Sequence, residues 1–333
     1  MARLSIAVVQ GGPSPEAEVS RASAAAIGAA LLESGHRVVR LELGPFLPES
    51  LRTGAYDVVF PAAHGAVGED GSLQGLLEVL ELPYVGSGVL ASALAMEKRQ
   101  ARVAFAAAGL PIARGMVALR GRHDARDAAV RALRDVSTRL VVKPSSGGSA
   151  IGVARFDEGT GAAEVARAIE AAWRLSDGAL LEHFARGREV TCGVLDRGAS
   201  SGPTALPPTE ITSPRDAFYT YEAKYAPGRS LHACPAPLSP ELSARVQEVA
   251  VDAHAALGCR DLSRVDFVVG DAGDLDAITL LEVNTLPGFT ATSLYPEAAA
   301  IAGTPLPALV DLLVRAAHAR GPTPRAAPLP LPG

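Results

Sequence analysis

The segment RVDFVVGDAGDLDAITLLEVNTLPGFT, residues 264–290, holds two apolar, β-branched runs on either side of the turn-forming sequence GDAGDLDA. This pattern predicts two antiparallel strands joined by a loop. Strand side chains alternate between faces, so one face would carry the polar side chains of Arg264, Asp266, Glu282 and Asn284. The opposite face would carry the apolar side chains of Val265, Phe267, Leu281 and Val283. An ordinary core explains the apolar face, whereas the polar face needs another reason.

The polar face has the composition of a magnesium site. Mg²⁺ takes oxygen ligands and is usually held by one or two carboxylates together with substrate phosphates. Asp266, Glu282 and Asn284 would supply such oxygens from neighbouring strands. Arg264 would then neutralise charge on a substrate oxygen. The alternative is a solvated strand face, which the buried character of the flanking strands disfavours.

Length and composition limit the class of protein. A chain of 333 residues exceeds the size at which one core stops growing, so two or three domains are expected. Its content of 48% hydrophobic and 20% charged residues is typical of a folded protein. The net charge of −5 argues against a general binder of nucleic acid.

The cysteines and the N-terminus indicate the compartment. Cys192, Cys234 and Cys259 are far apart and form no CxxC motif, which is typical of reduced thiols in a cytosol and predicts no zinc site. The start, MARLSIAVVQGG, predicts a first strand and turn, because its apolar run is too short for a signal peptide. No apolar stretch approaches the length of a membrane span.

Lysine is rare in this chain. Of the 31 basic residues that are Lys or Arg, three are lysine: Lys98, Lys143 and Lys224. Genomic base composition explains a general preference for Arg. Lysine would be kept where a compact point charge contacts phosphate in a tight site, so these positions are candidates for that role.

The order of strand and helix signals predicts the domain organisation. Strands and helices alternate at the start, which is typical of a parallel α/β sheet. A long helical stretch follows, GVLASALAMEKRQARVAFAAAGLP, and is expected to be broken. Two α+β units come next. The expected domains are residues 1–98, 99–190 and 191–318, and a Pro-rich tail covers 319–333.

A Gly/Ser loop, KPSSGGSAIG, lies at residues 143–152 between two strands. The backbone N–H groups of such a loop approach phosphate closely, and Lys143 adds a positive charge. The loop is neither the GxxxxGK[ST] of a P-loop nor the strand–GxGxxG–helix of a dinucleotide site. An ordinary turn is the commoner meaning of such a sequence, so phosphate binding is a hypothesis here.

Three other motifs follow apolar strands and each has two interpretations. His64, in AAHGAVGEDGSLQG, would contact a substrate carboxylate or be structural. Glu16, in QGGPSPEAEVS, would anchor a substrate amine or offset a helix dipole, and its spacing favours the latter. The stretch LLEHFARGRE, with Glu182 and Glu189, would be an ordinary turn or a hinge that pairs with adenine and ribose.

In this order the motifs resemble those of D-alanine–D-alanine ligases of the ATP-grasp superfamily. The resemblance is carried by GGPSPEAEVS, HGAVGEDGSLQGLLEVLELPYVGSGVLASALAMEK, VKPSSGGSAIG, YEAKY, RVDF and LEVNTLPGFT. It extends from Gly11 to about Leu313, and the second and last motifs are highly specific together. It implies an ATP-grasp fold, in which a parallel α/β domain precedes two α+β domains that clasp the nucleotide.

The resemblance also implies which residues bind ATP and metal. The phosphates would be contacted by Lys98, Lys143 and Lys224. The adenine and ribose would be contacted by Glu182, the backbone around Phe184 and Ala185, and Glu189. Two Mg²⁺ ions, with Mn²⁺ as a substitute, would be bound by Asp266, Glu282 and Asn284.

The amino-acid substrates are assigned by the same resemblance. The ammonium of the first D-alanine would be bound by Glu16 near His64, with Ser149 and Tyr225 hydrogen-bonded to Glu16. The oxyanion would be stabilised by Arg264 and the Gly288 N–H. The carboxylate of the second D-alanine would be bound at Ser293 and Leu294. A lid, SPRDAFYTYEAKYAPGRS, would carry Lys224 and Tyr225 inward.

The implied reaction converts ATP and two D-alanines to D-alanyl-D-alanine, ADP and phosphate through an acyl phosphate, for peptidoglycan precursors. The resemblance implies a cytoplasmic homodimer without nucleic-acid or membrane partners. One departure is Ala150, where relatives carry a second Ser, so one hydroxyl near the phosphates is lost. The alternatives are a D-alanine–D-lactate ligase, another ATP-grasp carboxylate–amine ligase, and a nucleotide-binding regulatory protein without turnover.

Overall fold

The computed structural model of the chain describes residues 2–198, 202–212, 230–270 and 278–323. Within these residues the strands form a three-stranded, a four-stranded and a six-stranded sheet. The first sheet is parallel and the other two are antiparallel, as the order of strand and helix signals predicts.

The first sheet has the strand order β2-β1-β3. Its strands are β1 (Ser5–Gln10), β2 (Arg37–Glu42) and β3 (Val58–Pro61), and its helices are α1 (Ala17–Glu33), α2 (Leu47–Thr53) and α3 (Ser72–Val79). Residues 6–9 of β1 are fully buried, because helices cover both faces of the sheet. The carboxyl ends of β1 and β3 meet at one edge, which brings together the loops that contain Glu16 and His64.

The long helical stretch is broken, as predicted, into α4 (Val89–Met96) and α5 (Lys98–Ala107). Glu97 between the helices has an extended backbone and forms an isolated β-bridge with Ser146. The N–H of Lys98 donates to the carbonyl of Ser145 at 2.7 Å. The break therefore fastens Lys98 beside the Gly/Ser loop.

The second sheet has the strand order β4-β7-β5-β6. Its strands are β4 (Gly115–Leu119), β5 (Leu140–Pro144), β6 (Ala154–Phe156) and β7 (Gly178–His183), and its helices are α6 (Ala125–Asp135) and α7 (Ala162–Trp173). Helix α6 begins after Asp124, whose carboxylate accepts the N–H groups of Arg126 and Asp127. Both helices pack on one face through small and aliphatic side chains such as Ala129 and Ile169, so the opposite face is available to line a cavity.

The third sheet has the strand order β11-β10-β8-β12-β13, and β9 also pairs with β8. Its strands are β8 (Arg188–Asp196), β9 (Pro203–Ala205), β10 (Thr209–Thr212), β11 (Leu231–Ala233), β12 (Leu262–Val269) and β13 (Ile278–Asn284). Helix α8 (Pro240–Ala256) covers one face through Val246, Val249 and Ala253. Ser239 caps α8 by accepting the N–H of Leu242.

The pairing of β12 with β13 confirms the two antiparallel strands predicted from residues 264–290, with one correction. Asp266 lies opposite Glu282, but the next pair is Phe267 with Leu280, so Leu281 is an extra residue in a β-bulge. A one-residue shift exchanges the two faces of a strand. Leu280 is therefore in the core, whereas Leu281 is half-buried and lines a cavity. The prediction that Leu281 belongs to the apolar core face was wrong.

The last two helices, α9 (Leu294–Ile301) and α10 (Leu306–Arg320), pack on the first sheet. Leu309 and Leu313 of α10 belong to the same core as Ile6 and Phe60. The domain boundaries predicted from the sequence stay a prediction, and α10 completes the core of the first sheet. No single helix in the described ranges is long and apolar enough to cross a membrane; α9 and α10 meet that criterion only together, bent by 101°.

Candidate functional site

The face of β12 and β13 that lines the cavities carries the four polar side chains that the alternation predicts. Arg264 lies opposite Asn284, and Asp266 lies opposite Glu282. The guanidinium of Arg264 donates two hydrogen bonds of 2.9 Å to the carboxylate of Asp266. Thr191 on β8 donates to the same carboxylate at 2.6 Å. These contacts hold Asp266 in one orientation at the edge of the cavity.

Glu282 and Asn284 have partners from other segments. Glu282 Oε2 lies 3.3 Å from Nζ of Lys98, and Asn284 Oδ1 accepts the N–H of Leu286 at 3.0 Å. Nζ of Lys98 also donates to the carbonyl of Gly147 at 2.5 Å. Lys98 therefore joins the Gly/Ser loop to β13, and its charge offsets the carboxylate of Glu282.

A cavity of about 190 Å³ lies between the second and third sheets. It is lined by the sequence-predicted nucleotide residues Lys98, Lys143, Glu182, Phe184, Ala185 and Glu189, and also by Asp266 and Glu282. Apolar side chains such as Val190 and Leu281 complete the wall. The guanidinium of Arg155 packs over the ring of Phe184, 4.1 Å from its centroid, which holds that ring in place.

Glu182 lies between two cations at the wall of this cavity. Its side chain is 8% exposed, and Oε2 lies 2.5 Å from Nζ of Lys143. Its other oxygen, Oε1, accepts a hydrogen bond from Nη1 of Arg102 on α5. Both carboxylate oxygens thus have a protein partner. The predicted contact of Glu182 with adenine stays a prediction.

The Gly/Ser loop between β5 and β6 borders the cavity with its backbone. It passes through the left-handed region at Gly147, Ser149, Ala150 and Gly152, with φ of 110°, 53°, 56° and 75°. Glycine adopts this conformation freely, whereas Ser149 and Ala150 adopt it at a cost that the surrounding packing must offset. Ala150 lines the larger cavity.

A second, smaller cavity of about 80 Å³ adjoins the first. It is lined by the predicted substrate residues Glu16, His64, Ser149, Arg264, Gly288, Ser293 and Leu294, and by Asn284. Ser149 Oγ donates to the carboxylate of Glu16, so the Gly/Ser loop contacts the loop after β1. Gly148 and Glu282 line both cavities, and the two spaces therefore meet at these residues.

Buried hydrogen bonds connect His64 to the loop that contains Gly288. Ser23 on α1 is fully buried, and its Oγ accepts the N–H of Phe289 at 3.2 Å. The same oxygen lies 3.3 Å from Nε2 of His64. Nδ1 of His64 lies 3.8 Å from Oε2 of the buried Glu69, beyond hydrogen-bond distance. Ser23 therefore ties two walls of the smaller cavity together.

The loop that carries His64 and Glu69 is ordered by Asp70. The carboxylate of Asp70 accepts the N–H of Val67 at 2.8 Å and that of Ser72 at 2.9 Å. Partial burial by itself would raise the pKa of Asp70, but these backbone hydrogen bonds outweigh it and hold the pKa below its usual value. The carboxylate stays ionised and fixes the turn that leads into α3.

The sequence analysis did not single out Glu69, which lines the smaller cavity, or Arg155, which lines the larger one. It also did not single out three residues that contact the cavity walls from behind: Ser23, Arg102 and Thr191. Arg102 had a usable signal, because it lies four residues after Lys98 and the two share one face of a helix. Ser23 and Arg155 had none, because their contacts come from distant segments. Lys224, Tyr225 and most of the predicted lid lie outside the described residues, so their roles stay predictions.

Two family models match the chain. One is described as D-ala D-ala ligase C-terminus and matches residues 104–315; the other is described as D-ala D-ala ligase N-terminus and matches residues 45–87. The chain belongs to the D-alanine–D-alanine ligase family. The resemblance that the sequence motifs indicate is therefore confirmed.

Individual members of the ligase family match over almost the whole chain. The D-alanine–D-alanine ligase of Xanthobacter autotrophicus is 45% identical over 312 residues, which are 93% of this chain and 96% of the relative. That of Caulobacter vibrioides is 44% identical and covers 95% of this chain and 93% of the relative. Both carry the name that the motifs predicted.

Solved structures of ligases in this family are also similar. The D-alanine–D-alanine ligase of Coxiella burnetii has a TM-score of 0.77 at 30% identity and covers 96% of each chain. The Bacillus anthracis ligase complexed with ATP has a TM-score of 0.79 at 28% identity, covering 95% of this chain and 97% of that one. These ligases have the ATP-grasp fold, so the predicted fold is confirmed.

Proposed function

We propose that this chain joins two D-alanines to D-alanyl-D-alanine with conversion of ATP to ADP and phosphate, for peptidoglycan precursors. The observation that carries the proposal is the meeting of two unlike cavities at Glu282 and Gly148. The larger one combines apolar walls with lysines, which suits a nucleotide. The smaller one combines Glu16 with Arg264, which suits an amino acid. The names of the relatives support the same reaction.

ATP would bind with its base against Phe184 and its phosphates near Lys98 and Lys143. The two lysines enter the cavity from α5 and β5, and each has a carboxylate partner within 3.3 Å. A ring stacked on Arg155 on one side offers its other side to a flat base. The similar ligase solved with ATP supports this choice of nucleotide.

Magnesium fits the oxygen donors of this site. In the described part of the chain, no group of three or more His, Cys, Asp or Glu side chains is arranged so that it could hold a metal ion. Asp266, Glu282 and Asn284 instead offer two carboxylates and an amide on paired strands, the donor set that Mg²⁺ shares with phosphates. We propose two Mg²⁺ ions here, with Mn²⁺ as a substitute. When bound, they would offset charge on the transferred phosphoryl group.

The first step activates a carboxylate. The ammonium of the first D-alanine binds the carboxylate of Glu16, which Ser149 orients by its hydrogen bond. The substrate carboxylate oxygen attacks the γ-phosphorus, an O–P bond forms, and the bond to the leaving ADP breaks. Lys98 and Lys143 offset charge on the phosphates as ADP leaves. The product is an acyl phosphate.

The second step forms the peptide bond. The amine of the second D-alanine attacks the acyl carbon, loses a proton, and phosphate leaves with its C–O bond electrons. Arg264 and the Gly288 N–H stabilise the oxyanion, and one such donor is typically worth about 2.7–4 kcal/mol. The second carboxylate would bind at Ser293 and Leu294. Ser293 Oγ already accepts the N–H of Thr290 at 2.9 Å, which orients the hydroxyl.

We also propose a cytoplasmic homodimer that assembles through the N-terminal region, without nucleic-acid or membrane partners. The three cysteines are free, which is typical of a reducing compartment. The dimer is supported by the family resemblance. Light scattering of the purified chain at micromolar concentration measures the mass, and a monomer would contradict the dimer.

The reaction is tested by measuring phosphate release and dipeptide formation with ATP, Mg²⁺ and D-alanine. Wild type is expected to make equal amounts of phosphate and D-alanyl-D-alanine, and to make neither with L-alanine. D-lactate as the second acceptor distinguishes the depsipeptide ligase. The Arg264→Gln variant is expected to lose about 100-fold or more of its turnover. Arg245→Gln, on an exposed helix face, is the matched control. Phosphate release without dipeptide would overturn the proposal.

A further inference from the structure

The buried charges around Lys143 form a chain of alternating sign. Glu182 on β7 accepts from Arg102 at one oxygen and lies 2.5 Å from Lys143 Nζ at the other. Nη2 of Arg102 also donates to the carbonyl of Ala113 at 2.7 Å. The three charged side chains are between 8% and 15% exposed. Arg102 is therefore held firmly between α5 and the segment before β4.

Arg102 does not belong to the wall of the larger cavity, whereas Lys143 and Glu182 do. It therefore has no direct contact with a nucleotide that fills this cavity. Its influence on a bound phosphate must pass through Glu182 and Lys143. This indirect path distinguishes Arg102 from Lys143 and Glu182, which line the cavity and can touch the substrate.

The charge balance gives Arg102 a specific effect. Two cations and one carboxylate leave a net charge of +1 beside the cavity. With a neutral residue at position 102, Lys143 and Glu182 would form a closed pair of zero net charge. Charges interact strongly at buried sites, so this difference would reach a phosphate next to Lys143. Lys98 is paired with a different carboxylate, Glu282 at 3.3 Å, so it takes no part in the balance between Arg102, Glu182 and Lys143.

We propose that Arg102 is a positioning residue that keeps Lys143 available to the phosphates of the nucleotide. By occupying one oxygen of Glu182, Arg102 prevents that carboxylate from neutralising Lys143 completely. The inference rests on the proposed function in one respect, which is that the larger cavity binds a nucleoside triphosphate.

The test compares Arg102→Gln with Arg102→Lys. The Gln variant is expected to raise the KM for ATP and the Kd for ADP by about tenfold, equal to about 1.4 kcal/mol, and to leave the KM for D-alanine unchanged. The Lys variant keeps the charge but not the fork that reaches both Glu182 and the carbonyl of Ala113, so it is expected to lose less ADP affinity than the Gln variant. The matched control is Arg134→Gln, which breaks an exposed pair with Asp135.

A double variant separates charge balance from a structural role. Because Glu182 is itself a predicted adenine contact, Glu182→Gln is also measured alone, and Arg102→Gln is expected to cost less ADP affinity in the Glu182→Gln background than in wild type. If Arg102 only supported the fold, its replacement would lower the free energy of unfolding and would cost the same ADP affinity in both backgrounds. The proposal is overturned if Arg102→Gln binds ADP like wild type, or if Arg102→Lys loses as much affinity as Arg102→Gln. It is also overturned if Arg102→Gln costs as much ADP affinity in the Glu182→Gln background as in wild type.

Calorimetric binding of ADP keeps this test apart from the proposed reaction. If Arg102→Gln does not fold, Arg102→Lys carries the test, and a loss of ADP affinity of about tenfold or more in that folded variant would overturn the proposal. A wild type that binds ADP but fails to join D-alanine would refute the proposed function and leave the inference about Arg102 intact. A loss of ADP affinity with normal wild-type ligation supports both.

Discussion

At the scale of single residues, Ser23 decides how the two walls of the smaller cavity are joined. It lies fully buried on α1, while its partners Phe289 and His64 come from the loops after β13 and β3. One hydroxyl thus connects three segments that are far apart in the chain. The backbone of Gly288, next to Phe289, is positioned by this contact.

Replacing Ser23 by Ala is expected to lower the turnover of the ligation reaction and the stability together. The variant leaves the N–H of Phe289 buried without its acceptor, which costs about 1–3 kcal/mol. The KM for ATP is expected to stay constant, because the larger cavity is untouched. Steady-state kinetics and urea unfolding measure both effects. Ser50→Ala removes only an exposed bond to the carbonyl of Phe46 and serves as control. Identical behaviour of the two variants would refute this role.

His254 on α8 is a buried titratable residue away from the two cavities. Burial lowers its pKa from the usual 6.5, and nearby Asp196 and Asp261 offset this only in part. Nδ1 lies 2.8 Å from Oγ of Ser263. The folded chain therefore keeps His254 neutral at a pH at which the unfolded chain protonates it.

The stability of the protein is therefore expected to fall as the pH is lowered below about 6.5, the unfolded pKa of His254. The unfolded state then binds more protons, which costs up to about 1.4 kcal/mol per pH unit until the folded pKa is reached. His254→Asn removes the titration and keeps a polar partner for Ser263. The difference in unfolding free energy between pH 7.5 and pH 5.5 should be smaller in this variant. An equal or larger difference would contradict the assignment.

At the scale of elements, the bulge in β13 determines which leucine supports the core and which one lines the larger cavity. Leu280 is 2% exposed and packs against α8, whereas Leu281 lines the larger cavity. The bulge follows directly after the pair of Asp266 and Glu282. Because of the bulge, the consecutive residues Leu281 and Glu282 both line the larger cavity while the sheet stays intact.

Truncating the two leucines separates these roles. Leu280→Ala is expected to lower the unfolding free energy by about 2–5 kcal/mol, because it leaves a cavity in the core. Leu281→Ala is expected to cost less than about 1 kcal/mol and to raise the KM for ATP several-fold, because the wall of the nucleotide cavity recedes. Denaturant unfolding and ATP kinetics measure the pair. If Leu281→Ala lost more unfolding free energy than Leu280→Ala, the bulge would have to lie elsewhere in β13.

At the scale of the whole molecule, Asp261 and Arg320 hold distant parts of the chain together. The guanidinium of Arg320, at the end of α10, donates to Asp261 at 2.6 and 2.8 Å and to the carbonyl of Tyr84 at 2.9 Å. Asp261, before β12, also accepts the N–H of Gly86 at 2.7 Å. The first and third sheets, which line opposite sides of the smaller cavity, are connected by these bonds.

Replacing Arg320 by Met is expected to lower the unfolding free energy by about 3–5 kcal/mol. Asp261 is 3% exposed, so the substitution leaves a buried carboxylate without its cation. Arg52→Met breaks an exposed pair with Glu49 and should cost less than about 1 kcal/mol. Urea unfolding at pH 7.5 compares them. Equal losses of unfolding free energy in the two variants would mean that Asp261 finds another partner or is hydrated.

Much of the site follows from local pattern. The alternation in residues 264–290 predicted the shared face of Asp266 and Glu282, and the pairing register confirms it. A break in the long helical stretch was also expected, although its position at Glu97 was not. Leu281 was misplaced because a bulge shifts the register by one residue without any local mark in the sequence. The partners of Glu182 were missed because Arg102 reaches it from α5.

The sequence by itself determined the chemistry: the rare lysines, the Gly/Ser loop, the polar strand face and the motifs of the ligase family. These features depend on residue type and on spacing over a few positions, which periodicity and turn propensity record directly. Tertiary structure alone decided which charges neutralise one another and which hydroxyl joins the loops. Contacts such as Arg102 with Glu182 and Ser23 with Phe289 arise only when distant segments pack, because close packing selects partners by shape and not by order in the chain.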